Sequence, residues 1–141
     1  MKPHEEIKAK IVRQWLAKAQ EDVEAAEALM SENHPLYHPS CFHSQQAAEK
    51  FIKAYLTWHQ IEFPKIHVFG ELLDLVAIKN GELAEALSPV TSLNPYGVEV
   101  RYPGDAPEPT RDQAESALAL ARDVRDAIIK ELPSDLQGSP R

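Results

Sequence analysis

The chain has 141 residues, of which 43% are hydrophobic and 26% are charged, a composition typical of one ordinary globular domain. Its 15 Lys and Arg against 22 Asp and Glu give a net charge of −7. This balance disfavours non-specific binding to nucleic acid, which depends on cations meeting phosphates, although a local basic patch stays open. The single cysteine, Cys41, excludes an internal disulfide.

The first ten residues, MKPHEEIKAK, carry charges and are not followed by an apolar run. A secretory signal needs such a run, and a membrane span needs about 18 to 20 consecutive apolar residues. We therefore expect a cytoplasmic protein that neither crosses nor binds a membrane.

Two long amphipathic helices are predicted in the first half of the chain. Apolar residues recur at helical spacing from about Glu5 to Ser31, without Gly or Pro to interrupt them. Residues 33–39 contain two prolines and predict a break, because proline is unfavourable inside a helix but suits its first turn. A second helix is predicted from near Ser40 to His59.

The second half predicts one medium helix, one short helix and a final long helix. The third helix covers about His67 to Lys79, and Asn80-Gly81 is its stop signal. A shorter fourth helix follows within residues 81–90. Five prolines between Ser88 and Pro109 favour loop or broken helix there.

The last helix is predicted to begin at Thr110, because Gln113 stands three residues later and completes a capping box. Its apolar stripe runs to Leu132. The pattern as a whole predicts an all-α fold, an up-and-down antiparallel helical bundle of about five helices. We expect residues 1–141 to form a single domain, with a loose tail at about 134–141.

Asp22 is the first residue that departs from a simple amphipathic pattern. At about 100° per residue it falls inside the apolar arc of the first helix. A carboxylate on a core-facing stripe needs a cation or several donors, because burying an unpaired charge costs several kcal/mol. Lys50, Lys53 and Arg101 are the candidate cations. Asp22 is either part of a structural ion pair or part of a polar site within the bundle.

The stretch HSQQAAEKFIK, residues 43–53, has polar side chains three or four positions apart on the second helix. This spacing predicts one long polar face, opposite an apolar face that contains Phe51 and Ile52. The alternatives are a solvated helix surface and a binding site. The polar side chains are those of His43, Gln46, Glu49, Lys50 and Lys53.

Arg101 and Tyr102 lie in the proline-rich segment YGVEVRYPGD. An arginine on a loop between aromatic residues can clamp a phosphate or stack on a base. It can equally fix the loop to the bundle by bonding carbonyl groups or a carboxylate. Both interpretations stay open from the sequence.

No familiar enzyme, cofactor or metal signature is present in the sequence. The segment HPLYHPSCFH holds three His and one Cys, but its spacing is mixed and crosses two prolines, unlike the paired ligands of a zinc site. There is no glycine-rich phosphate loop and no Gly-x-Ser-x-Gly or His-Glu-x-x-His string. We therefore expect no metal and no cofactor.

The string CFHSQQAAEKFIKAYL resembles the signature helix of HEPN domains, the higher eukaryotes and prokaryotes nucleotide-binding family. Other matching features are Trp15 and Asp22 in the first helix, His67 before the third helix, and Tyr96 followed by Arg101-Tyr102-Pro103. The resemblance covers about residues 8–132.

This resemblance implies a five-helix bundle, commonly a homodimer, that often works with a small nucleotidyltransferase in prokaryotic toxin–antitoxin pairs. Many relatives are metal-independent ribonucleases that carry an Arg, four to six further residues and then a His. That pattern is absent here, because no His follows Arg13 at this distance and none lies after His67. The resemblance therefore favours a non-catalytic member whose ligand is a nucleotide, another polyanion or RNA.

We expect the ligand site to lie where the second helix meets the proline-rich loop. Lys50 and Arg101 are assigned as the cations that face phosphate, and Asp22 or Glu49 would hold a cation in place. The amide, imidazole and phenol groups would orient the ligand. The predicted ligand-binding residues are Asp22, His43, Gln46, Glu49, Lys50, Arg101 and Tyr102.

Three alternatives accompany this assignment. The same residues can form an internal polar network without a ligand. The protein can be a ribonuclease toxin with altered chemistry, in which His43 acts as general acid or base. It can also be a structural adaptor whose acidic surface docks a basic protein partner.

Overall fold

The computed structural model describes residues 2–31, 33–98, 102–104 and 107–136. Over these residues the chain forms five α-helices and one 3₁₀ helix, which confirms the predicted all-α bundle. The α-helices are α1 (Pro3–Ser31), α2 (Tyr37–Trp58), α3 (Phe69–Lys79), α4 (Gly81–Ala86) and α5 (Arg111–Lys130), and the 3₁₀ helix is Ser88–Tyr96.

The first two helices form a hairpin that is closed by hydrogen bonds at the turn. Leu36 donates its N–H to the carbonyl of Leu29 at 3.0 Å, and the buried Ser40 hydroxyl donates to the carbonyl of Ala26 at 2.9 Å. Helix α2 begins at Tyr37, earlier than predicted. Pro39 is therefore inside its first turn, where a backbone N–H has no acceptor within the helix and proline costs nothing.

Helix α2 is the centre of the bundle. It packs against α1 and α5, and also against α3 and the 3₁₀ helix. Its inward side is apolar along most of its length, so every neighbouring element gains stability by covering it. The largest fully buried apolar side chains are Phe51, Phe69, Ile52, Leu56, Leu72, Leu93, Ile128 and Leu136.

Two asparagines define the ends of the short helices. Helix α3 begins at Phe69 instead of His67, and the Phe69 N–H donates to Asn94 Oδ1 at 2.9 Å. Asn80 ends α3 and also caps α4, because its Oδ1 accepts the N–H of Leu83 at 3.0 Å. The predicted stop at Asn80-Gly81 is thus confirmed, and α4 follows it directly.

The proline-rich segment begins as a regular 3₁₀ helix, where the sequence favoured loop or broken helix. Pro89 stands in its first turn. Val90 and Leu93 are both buried, and a spacing of three residues puts them on one face of a helix with three residues per turn. The segment is ordered because this face packs on α2 and α5.

Helix α5 begins with the predicted capping box. Thr110 Oγ1 accepts the N–H of Gln113 at 3.1 Å, and Gln113 Oε1 accepts the N–H of Thr110 at 2.8 Å. After the helix ends, Leu136 is fully buried, so the chain is still packed on the bundle at residue 136, within the loose tail expected at about 134–141. Residues 137–141 of that tail lie outside the described residues.

The outer sides of the helices are charged. Lys10, Lys18 and Glu21 lie exposed on α1, which at 29 residues is the longest helix. Among the described helices, none combines the length and the apolar character that a membrane crossing requires.

Candidate functional site

Asp22 lies on the side of α1 that faces α2 and is largely buried, as its position in the apolar arc predicted. One carboxylate oxygen, Oδ1, is 2.8 Å from His43 Nδ1, and the other, Oδ2, is 2.5 Å from Lys50 Nζ. Both partners come from α2. Lys50 is therefore the cation that offsets this carboxylate, and the three side chains form a polar seam between α1 and α2.

The contact with Asp22 determines the tautomer and the orientation of the His43 imidazole. An ionised carboxylate only accepts hydrogen bonds, so the ring proton stands on Nδ1 and the bond orients the imidazole. No hydrogen bond to His43 Nε2 exists among the described residues, and the side chain is 34% exposed. The imidazole therefore presents Nε2 away from Asp22, where a ligand or a proton acceptor can meet it.

The contact with Asp22 uses only some of the hydrogen-bond donors of the Lys50 ammonium. Its side chain is 26% exposed, and an ammonium has three N–H donors, of which the Asp22 contact uses one. Two donors are left for an anion. Lys50 and His43 stand seven residues apart on α2 and so share one flank of the helix.

Glu49 belongs to a second, more deeply buried cluster. Its Oε2 lies 2.8 Å from Lys53 Nζ and 3.0 Å from His67 Nδ1, and its Oε1 accepts from Gln45 Nε2 at 3.1 Å. Burial alone would raise the pKa of Glu49, but the hydrogen bonds from Lys53 and His67 outweigh it and hold that pKa below its ordinary value of 4.5. Glu49 is ionised, and its oxygens accept these three donors.

Of the alternatives for the polar residues of α2, Glu49 and Lys53 fit the internal polar network and not a solvated helix surface. Each of these residues is only 5% exposed. Trp15 of α1 and Phe63 of the loop before α3 meet edge to face, and Lys53 Nζ lies 6.0 and 5.6 Å from their ring centres. These rings cover a flank that helical spacing alone assigns to solvent.

Gln45 and Gln46 connect Glu49 with the exposed flank. Gln46 Nε2 donates to Gln45 Oε1 at 2.7 Å, while Gln45 Nε2 donates to Glu49. Gln45 is fully buried and Gln46 is half-buried. Gly97, directly after the 3₁₀ helix, lies so close to Gln45 that a methyl group added to it would stand 3.3 Å from Gln45 Nε2.

Two predicted site residues are not placed in the seam by the structure. Arg101 lies outside the described residues, so its assignment as the second phosphate-facing cation stays a prediction. Tyr102 is 72% exposed, and its part in the site also stays a prediction. The structure brings Asp22, His43 and Lys50 into direct contact and links Gln46 to Glu49 through Gln45.

Gln45 and His67 also belong to these clusters, although neither was predicted as a site residue. The spacing of four residues between Gln45 and Glu49 is a signal for a side-chain contact on one helix. His67 offers no such signal, because it reaches Glu49 from the loop before α3. That loop contains Gln60 and Lys65 at positive φ angles of 56° and 24°, which sequence spacing does not reveal.

Cys41 and the neighbouring histidines do not form a reactive or metal-binding group within the part of the chain that the structure describes. Cys41 is fully buried. Burial raises the pKa of its thiol to about 11, with a smaller opposing effect of a hydrogen bond from Tyr96 and a further increase from Glu108. A thiol of this kind is inert near neutral pH.

The flank of α2 that carries His43, Gln46 and Lys50 combines three kinds of polar group within two helical turns. An ammonium attracts anions, an amide both donates and accepts hydrogen bonds, and a carboxylate-bound imidazole can donate, accept or transfer a proton. The arrangement is therefore suited to binding a small polar anion. The orientation of His43 by Asp22 is also compatible with acid–base chemistry.

Comparisons with known proteins agree with this architecture. The family model of the HEPN domain matches residues 12–132. A candidate toxin of Methanocaldococcus jannaschii, MJ1304, is 31% identical over 143 residues, and the match covers 92% of each chain.

Two solved structures are similar in both fold and sequence. The crystal structure of TT1696 from Thermus thermophilus has a TM-score of 0.65 and 29% identity, and the match covers 86% of this chain and 98% of that one. A crystal structure of an archaeal HEPN homologue has a TM-score of 0.65 and 25% identity, with coverage of 85% and 96%. Together with the family match over most of the sequence, these similarities show that the chain belongs to the HEPN domain family.

Proposed function

We propose that this chain is a stand-alone HEPN protein that binds a nucleotide or a nucleotide-like polyanion without cleaving RNA. In this proposal it is the partner of a small nucleotidyltransferase in a toxin–antitoxin-like pair. The observation that carries the binding function is the polar seam, in which Asp22 holds both His43 and Lys50 on an accessible flank of α2.

The lack of catalysis in this proposal is supported by the sequence. The Arg-x4-6-His spacing of ribonuclease relatives does not occur anywhere in the 141 residues. The toxin–antitoxin context is supported by the name of the archaeal candidate toxin, which matches along nearly the whole chain. The nucleotidyltransferase partner is what the family resemblance implies.

Homodimer formation is part of the same proposal. Ile7 and Ile11 stand four residues apart on α1 and are 62% and 41% exposed, so they form a small apolar face that a second copy can cover. Light scattering on the purified protein measures the mass in solution. A monomer of 15.8 kDa at all concentrations would contradict this part of the proposal.

The binding function is tested by thermal unfolding and calorimetry with ATP, GTP, short RNA and inorganic tripolyphosphate at millimolar concentration. A ligand that prefers the folded state raises its stability, by about 2.7 kcal/mol at a concentration a hundred times the dissociation constant. We expect a ligand to stabilise the wild type and to do so much less in Lys50→Ala.

The matched control for Lys50→Ala is Lys18→Ala. Lys18 is exposed, and its ion pair within the described residues is with Glu21 on the same helix, so its removal changes the net charge equally without touching the seam. Full ligand binding by Lys18→Ala would show that the effect at Lys50 is local. No stabilisation of the wild type by any of the four ligands would reject the binding function.

The partner is tested by expressing the chain together with each small nucleotidyltransferase of the same genome and purifying any complex that forms. A stable complex that forms equally well with wild type and Lys50→Ala would mean that docking uses another surface than the seam. Docking without any ligand binding would favour a structural adaptor over the proposed function.

A ribonuclease toxin is the second candidate function, and the contact between Asp22 and His43 favours it. A carboxylate that orients an imidazole leaves Nε2 available for proton transfer. The test is cleavage of RNA in the presence of a chelator by wild type and by His43→Ala. Cleavage by the wild type that disappears in His43→Ala would replace the non-catalytic proposal with this one.

A further inference from the structure

The amide of Gln46 is oriented by a chain of hydrogen bonds that begins at Glu49. Glu49 is buried and ionised, so it can only accept hydrogen bonds. Gln45 must therefore turn its NH₂ group towards Glu49, at 3.1 Å from Oε1. The direction of the Gln45 amide, which is often ambiguous in proteins, is thus determined by the charge of its partner.

The orientation of Gln45 then determines that of Gln46. With its NH₂ group on Glu49, Gln45 presents only Oε1 to its neighbour, and Gln46 must donate Nε2 to it, at 2.7 Å. Turning the Gln45 amide over would place its oxygen against the Glu49 carboxylate and its NH₂ group against Gln46 Nε2, so both hydrogen bonds would be lost. Gln45 and Glu49 together act as a relay that holds the Gln46 amide in one orientation.

This relay leaves two adjacent groups of Gln46 without a hydrogen-bond partner among the described residues. They are the carbonyl oxygen Oε1 and the second N–H of Nε2. Gln46 lies on the same flank of α2 as His43 and Lys50, three residues after the first and four before the second. Gln46 therefore offers an acceptor and a donor on the helix flank that also carries Lys50.

We propose that Gln46 is the residue that recognises the base of a bound nucleotide, and that Gln45 positions it. This inference rests on the proposed function, and it selects a base-containing nucleotide over a bare polyanion as the ligand. Nucleobases present a donor beside an acceptor on their edges, and a side-chain amide pairs with such an edge through two hydrogen bonds. Lys50 then faces the phosphates.

The test compares the affinity of ATP, GTP, CTP and UTP with that of inorganic tripolyphosphate by calorimetry. The ratio between the tightest nucleotide and tripolyphosphate measures the contribution of the base. We expect this ratio to fall by roughly 5- to 100-fold in Gln46→Leu, because a bidentate pair contributes about this factor. The affinity for tripolyphosphate itself should stay at the wild-type value.

Two further variants separate recognition from folding. Gln45→Met removes the relay but leaves Glu49 with Lys53 and His67, and it should lower the same ratio although Gln45 does not touch the ligand. Gln14→Leu, on the exposed side of α1, should change nothing. A loss of fold alone would lower the melting temperature and all affinities together, and it would not change the ratio selectively.

Three outcomes overturn the inference. If nucleotides and tripolyphosphate bind the wild type equally, or if nucleotides are preferred but Gln46→Leu keeps that preference, the inference fails while the proposed binding function stands. If neither nucleotides nor tripolyphosphate bind the wild type, both the inference and the proposed binding function are rejected.

Discussion

Asp22 of α1 and Lys50 of α2 join the two helices through a contact of 2.5 Å between Oδ2 and Nζ. The same carboxylate also holds His43, so one side chain orders two groups of the candidate site. The seam therefore has a structural role as well as a proposed binding role. Measurements of stability and of ligand binding separate the two.

Asp22→Asn should lower the free energy of unfolding by about 1–3 kcal/mol, because it weakens two hydrogen bonds and leaves Lys50 without its counter-charge. Urea unfolding measures this loss. Glu21→Gln is the control, since the neighbouring Glu21 pairs with Lys18 at 3.8 Å on the surface and should leave stability nearly unchanged. Equal losses in both variants would show that the seam does not stabilise the helix pair.

The free energy of unfolding should decrease as the pH is lowered through the acid range, because Glu49 becomes protonated there. Its pKa in the folded protein is below the ordinary value of 4.5, so the unfolded chain binds more protons in that window. The stabilisation is complete above about pH 4.5 and is lost as pH falls through the folded pKa. Urea midpoints measured between pH 6 and 3 should show this decline in the wild type.

Glu49→Gln should reduce the acid-range decline, because the group that titrates is gone. The same variant should also be less stable at neutral pH, since Lys53 stays buried without its carboxylate. Glu85→Gln is the control, because it removes an exposed carboxylate that is not among the partners of Glu49. A decline of unchanged size in Glu49→Gln would assign the acid sensitivity to other groups.

Cys41 should resist alkylation in the native protein. Its thiol is fully buried, and burial raises its pKa to about 11, whereas an exposed thiol has a pKa near 8.5. Iodoacetamide at pH 8 should label the protein rapidly in urea and very slowly without it, as measured by mass spectrometry. Rapid labelling of the folded protein would mean that the turn between α1 and α2 opens readily.

Gly97→Ala should destabilise the protein by about 1 kcal/mol, the lower end of the cost of overpacking, because the added methyl group would stand 3.3 Å from Gln45 Nε2 and Gln45 would have to shift. The new methyl would press on Gln45, which is held by Glu49 at one end and Gln46 at the other. Gly70→Ala is the control, because nothing lies within 4 Å of its added methyl. Near the start of α3 that change should raise stability by up to about 1 kcal/mol, and a matching gain in Gly97→Ala would contradict the close approach.

The helices could be predicted from the sequence because their signals are local. Apolar spacing indicated the long helices, and Thr110 with Gln113 indicated the start of α5. The 3₁₀ helix could not be predicted in the same way, because prolines in a sequence indicate the interruption of a helix. Its order comes from Val90 and Leu93 packing on other helices, which is a tertiary effect.

The candidate site was predicted in part for the same reason. Asp22 stands out because a carboxylate on an apolar stripe needs a partner, and Lys50 was among the predicted partners. The burial of Glu49 and Lys53 could not be predicted from helical spacing, because the covering rings belong to Trp15 on another helix and Phe63 on a loop. The contact of His67 with Glu49 depends on the path of that same loop.

The polar seam also bears on how the chain acquires its shape. Asp22 and Lys50 are only 28 positions apart, and the seam is made by two helices that follow each other directly. Closing so short a segment costs little chain entropy, and near neighbours in sequence meet early. During synthesis on a ribosome, α1 and α2 can therefore pair before α5 has been made. The later helices then pack on a hairpin in which Asp22 already contacts Lys50.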